Sequence, residues 1–87
     1  MSELVIRYYY LNTKDKGENF IFLNNEKYGL VEIRELKTFM LENKFINNNC
    51  YLRFKDYIGD SLSWIDIKND KSPFPVNENN EVFIKIL

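Results

Sequence analysis

The chain contains no histidine, a single cysteine at Cys50, and only two prolines, Pro73 and Pro75. Without histidine the side chain most used for proton transfer and metal ligation near neutral pH is missing. Most of the usual parts for acid/base and metal chemistry are therefore absent, and a binding surface is expected rather than an enzyme, with no cofactor and no metal. One cysteine excludes an intrachain disulfide and suits a reducing compartment; Cys50 reads as a small core residue. No segment approaches the roughly 18 apolar residues of a membrane span, and the start SELVIRYYYL does not have the pattern of a targeting signal. A soluble, cytoplasmic protein is expected. Lys and Arg total 12 against 13 Asp and Glu, a net charge of -1, so there is neither a broad basic footprint for nucleic acid nor an acidic tail. Repeats and long linkers are lacking too. The 87 residues read as one domain near the size at which folding buries only about 60 to 65% of the unfolded surface.

What remains is a dense set of strand signals around one helix. Leu4 to Leu11 (LVIRYYYL) is β-branched and aromatic throughout and reads as the first strand. The polar run NTKDKGE, with Gly17, reads as a hairpin connection to a short second strand, Phe20 to Leu23. Val31 to Asn43 places Ile33, Leu36, Phe39 and Met40 at steps of three and four, the apolar stripe of an amphipathic helix. Glu32 and Glu35 suit its start and Asn43-Lys44 its end. Cys50 to Phe54, Leu62 to Ile67 and Val82 to Leu87 read as three further strands. The pattern predicts an α+β ubiquitin-like β-grasp: a five-stranded mixed sheet with one main helix, in the order ββαββ, its other face dressed by tyrosines. Such an open sheet has edge strands, and an edge without proline or charge invites pairing.

Several features have two readings. Trp64, the only tryptophan, either packs into the domain's own core or is offered to a partner. Phe20 is likewise either core or edge, and if Phe22 faces the helix, Phe20 is expected to face outward. In WIDIKNDKSPFP, Pro73 and Pro75 hold their neighbours extended, which suggests a stiff turn that anchors Phe74 and clamps the end of the fourth strand. Asp56, Asp60, Asp66 and Asp70 match no cation-loop spacing and read as solvated turn charges. Tyr8, Tyr9, Tyr10 and Tyr57 have no basic residues interleaved in sequence beyond Arg7, so they read as sheet-covering aromatics rather than base-stacking ones. The asparagines at 24–25, 47–49, 77, 79 and 80 sit in apparent loops, where Asn tolerates left-handed backbone.

These segments resemble the DIX domain, the self-associating module of Dishevelled, Axin and the plant SOSEKI proteins. VIRYYYL is similar to the family's first strand, VEIRELK to the start of its helix and YLRFK to its third strand. The most specific part is WIDIKND followed by FPV and EVFIKIL, which resembles the fourth strand, acidic turn, Leu-Pro-containing segment and last strand. The match runs almost end to end, so residues 1–87 are expected to be one DIX-like domain, N-terminal in a longer protein. The chain departs from the family at Glu18-Asn19, where a proline is frequent, at Phe74, usually leucine, and at Asn79-Asn80, where glycine is common. The resemblance implies a scaffold for signalling or cell-polarity complexes that self-associates head-to-tail into open filaments, and possible pairing with other DIX domains. It also implies an interface made by Phe20 and Ile21 on the second strand and Ser63, Trp64 and Ile65 on the fourth. The alternative is a Phox-type acidic/basic β-grasp heterodimerisation module, in which FKDYIGD supplies the acidic loop and Arg7 its basic partner. A ubiquitin-like modifier is disfavoured, because FIKIL lacks the flexible Gly-Gly tail that conjugation needs.

Overall fold

The computed structural model describes residues 3–11 and 19–87; the connection that includes Gly17 lies outside them. Five strands form one sheet: β1 (Glu3–Tyr10), β2 (Asn19–Asn24), β3 (Leu52–Ile58), β4 (Ser61–Ile65) and β5 (Glu81–Ile86). Between β2 and β3 lie a single-turn helix α1 (Asn25–Tyr28) and the main helix α2 (Ile33–Glu42). Three strands follow the helix, so the order is ββαβββ rather than ββαββ. Across the sheet the strands run β2-β1-β5-β3-β4. The β1–β5 pair is parallel and the other three pairs are antiparallel. This is the mixed sheet and single main helix of a ubiquitin-like β-grasp.

The helix stripe and one face of the sheet share a single core. Ile33, Leu36 and Met40 from α2 join Leu4, Ile6, Tyr8, Phe54, Val82, Ile84 and Ile86 in the same buried cluster. Phe39 is only partly buried, its ring edge-on to Tyr28 at 5.5 Å. Tyr8 and Tyr10 also lie on this side, where Tyr8 meets Phe45 at 5.6 Å and the Tyr10 hydroxyl donates to the Phe45 carbonyl. Of the four tyrosines expected to cover the outer face, two therefore serve the core, because side chains two apart on a strand share a face.

The start of α2 is built by two distant segments. The Glu35 carboxylate accepts from the N–H groups of Glu32 (2.8 Å) and Val31 (3.2 Å), and these bonds hold it below the usual carboxylate range. The carbonyls of Ser72 and Asp70 accept from the N–H groups of Ile33 and Arg34 at 2.9 and 2.8 Å, satisfying donors that a helix start leaves open. Phe74 is buried, and its N–H donates to the Val31 carbonyl. The Pro73-Phe74-Pro75 turn thus anchors Phe74 as expected, while the hydrogen bonds of its segment go to the start of the helix.

The asparagines have a local structural role. Asn24 caps α1 by accepting from the Glu26 N–H, and Asn25 accepts from the Leu30 N–H at 2.7 Å. Asn47, Asn69 and Asn77 each accept from the N–H two residues on, the short-range bond by which Asn fixes a turn. Asn80 has φ 57, a left-handed backbone at a position where the resembled family often has glycine. The strand limits differ from the sequence reading mainly at β3, which starts at Leu52 and continues through Lys55-Asp56 to Ile58. The reason is the tight hairpin to β4: Ile58 pairs with Ser61 across Gly59-Asp60, with Gly59 at φ 62.

Candidate functional site: two neutral sheet edges and an aromatic–cationic face

The sheet order leaves β2 and β4 as the opposite edges, each paired on one side only among the described residues. Their sequences, NFIFLN and SLSWI, contain no charge and no proline. These are the usual devices that blunt an edge against pairing, and both strands lack them.

The face remote from α2 carries side chains that converge from all five strands. Arg7 stands opposite Phe20 on one side and Phe83 on the other, and Lys55 stands opposite Trp64. The Arg7 guanidinium lies 5.8 Å from the Phe20 ring centre. The Lys55 ammonium lies 5.3 Å from Phe83 and 5.8 Å from Trp64. One row therefore alternates ring and cation across the whole sheet: Phe20, Arg7, Phe83, Lys55, Trp64. The row below it holds Phe22, Val5 and Glu81 on one side and Tyr57 and Leu62 on the other. Interleaving of rings with basic residues, invisible along the sequence, comes from strands far apart in it.

Among the described residues, two of the four cations on this face are ion-paired, and the two lysines lie against rings. Arg7 pairs with Glu81 at 2.6 Å and Arg53 with Asp66 at 3.0 Å. Hydrogen bonds from Asn77 and Arg7 hold the Glu81 carboxyl below its ordinary range. Lys85 sits 4.5 Å from the Trp64 ring centre, close enough for a cation–π contact.

Trp64 lies outside the core under α2, against the first of its two readings. Its ring lies inward over the outer face and meets Tyr9, three strands away, edge-on at 6.0 Å. It is a half-buried roof over the sheet, outside the core under α2. Phe20 and Phe22 share this outer face, edge-on at 5.3 Å and 55% and 62% exposed. They cannot face opposite ways, since residues two apart on a strand point together. Ile21, Ser63 and Ile65 point to the helix side; Ile21 and Ile65 are half-buried, standing opposite Ile6 and Phe54. The five residues singled out in sequence thus fall on the two opposite edges, Phe20 and Ile21 on β2 and Ser63, Trp64 and Ile65 on β4. Phe22 and Leu62, exposed on the same two edge strands, were not singled out in sequence. Leu62 is 48% exposed beside Tyr57, and the period-two pattern that groups it with Trp64 was the available signal.

Strand order and the single main helix define the class, a ubiquitin-like β-grasp with two free edges. Among solved structures it is similar to a mutant form of the SOSEKI polymerising domain, at TM-score 0.69 and 12% identity over 98% of this chain and 95% of that one. The fold implied by the sequence resemblance is the fold found. No protein-family model matches the sequence, and no curated protein matches it.

Proposed function

We propose that this chain is a self-associating interaction domain, in which β2 of one copy pairs with β4 of the next and open head-to-tail filaments scaffold signalling or cell-polarity complexes in the cytoplasm. The observation that carries this reading is the placement of two uncharged, proline-free strands on opposite edges of one sheet. An edge that pairs with a different edge makes a heterologous contact, and repetition of such a contact extends the sheet without closing it. A neighbour described as a polymerising domain supports the same reading. No helix among the described residues is long and apolar enough to cross a membrane. The acidic/basic alternative draws on Arg7 as the partner's contact, and Arg7 is engaged by Glu81 within the domain.

Phe20→Asp and Leu62→Asp each place a carboxylate on one edge at a side chain about half exposed, so the fold should survive. Leu62 is preferred to Trp64 because the Trp64 ring also packs on Tyr9 and Lys85. Burying an unpaired carboxylate costs several kcal/mol, and about 1.4 kcal/mol is already tenfold in affinity. By analytical ultracentrifugation the wild type should gain mass continuously with concentration, each variant should remain a monomer, and their equimolar mixture should stop at a heterodimer through the one intact contact. A wild type of fixed monomeric mass, or a mixture that stays monomeric where wild type grows, refutes the assignment.

A further inference from the structure

The pairing pattern within the sheet also determines how two sheets join, an inference that rests on the head-to-tail reading. β1 and β5 run in one direction and β2 and β3 in the other, while β4 is antiparallel to β3 and so runs with β1. A second copy added in the same orientation therefore brings its β2 antiparallel to β4. The cross-strand partners align Phe20, Arg7, Phe83, Lys55 and Trp64 at one height and place Phe22 and Val5 at the height of Tyr57 and Leu62.

We infer that the next copy docks with no offset along the strands, so that Phe20 meets Trp64, Ile21 meets Ser63, and Phe22 meets Leu62 at the centre of the contact. Three features favour this register. It pairs every residue of β4, with Asn19 opposite Ile65 and Leu23 opposite Ser61, whereas a slip of two residues either way leaves part of β4 without a partner among the described residues of β2. A slip of one is excluded because it would turn Phe20 and Phe22 to the helix side. The unshifted register also places both exposed phenylalanines against apolar residues on the same face, while a slip toward Asn24 sets that amide against Leu62.

The receiving surface is shaped for this. Tyr57, Leu62, Pro75, Val76 and Phe83 line a recess on the outer face beside β4. Phe22, the most exposed side chain of the Phe20–Phe22 pair, is carried to its rim. The row of alternating rings and cations then continues across the junction, with Phe20 of the incoming copy beside Trp64.

Cysteine cross-linking reads the register directly. Directly opposed residues on antiparallel strands lie within disulfide range, while residues displaced by two positions do not. In a Cys50→Ser background, which removes the only native thiol, Phe22→Cys with Leu62→Cys should give a ladder of covalent oligomers on mild oxidation, abolished by reductant. Asn24→Cys with Leu62→Cys and Phe20→Cys with Leu62→Cys report the two slipped registers and should give no ladder. A ladder from either of those pairs in place of the first, or none from any pair while sedimentation shows filaments, overturns the register. Absence of filaments in the Cys50→Ser chain at all concentrations overturns instead the head-to-tail reading beneath it.

Discussion

Truncating Leu36 should remove a large share of this domain's stability. Leu36 is 0% exposed and lies between Ile33 and Met40 on the buried stripe of α2. The same cluster includes Ile6 from β1 and Val82 and Ile84 from the central β5, each fully buried. Because this layer is held by the turns of α2 on either side, the helix cannot settle into the space vacated by one side chain. Leu36→Ala should therefore cost about 3 to 5 kcal/mol, the upper part of the range for such truncations, against a total of about 4 to 13 kcal/mol for a chain of this length. At about 4 to 8 °C per kcal/mol, the melting temperature should fall by about 12 °C or more. Alanine is the better helix former, so local propensity works against the loss. Urea denaturation followed by circular dichroism, in a Leu62→Asp background so that assembly adds nothing to apparent stability, gives the value. A loss below about 1 kcal/mol would mean that α2 does not pack through Leu36.

Two further outcomes follow from charge. The folded Glu81 carboxyl is held below its unfolded value, so its contribution is fully present above the ordinary carboxylate range and is lost as pH falls through the lowered folded value. Glu81→Gln should lower the urea midpoint at pH 7 and converge with wild type in acid; a difference that persists unchanged to strongly acid pH would remove Glu81 from the account. Because β2 and β4 carry no charge, the association constant of the filament should change by less than about threefold between low and high salt, read by sedimentation. Collapse to monomers on adding salt would favour the acidic/basic contact.

The helix, the strands and the grasp architecture were legible because they rest on local periodicity: the Ile33-Leu36-Met40 stripe and the β-branched run of β1 each repeat with their element's own period. What depended on pairing between distant segments was less legible. Nothing in NDKSPFP announces that the Asp70 and Ser72 carbonyls cap a helix some forty residues earlier, and the polar Lys55-Asp56 hid the continuation of β3 because its partner, β4, follows only after the turn. The outer face is the clearest case. Tyr9, Lys55, Trp64, Phe83 and Lys85 sit on four different strands, and only the strand order turns them from scattered residues into one surface. The two-way reading of Trp64 was incomplete for the same reason, since it weighed core against partner and left out the domain's own outer face, where the ring packs on Tyr9 and Lys85. Phe20 and Phe22, in contrast, were set on opposite faces in the sequence reading although alternation alone groups them on one.

The central position of β5 bears on how the chain acquires its fold. Last of the five strands in sequence, it lies between β1 and β3 and buries Val82, Ile84 and Ile86. Before it arrives, the chain can form two separate hairpins, β1 with β2 and β3 with β4, whose inner margins are both unsatisfied. During synthesis the sheet thus closes only when its final strand has left the ribosome, and until then the most receptive sites for a stray strand are the two margins that the finished domain conceals.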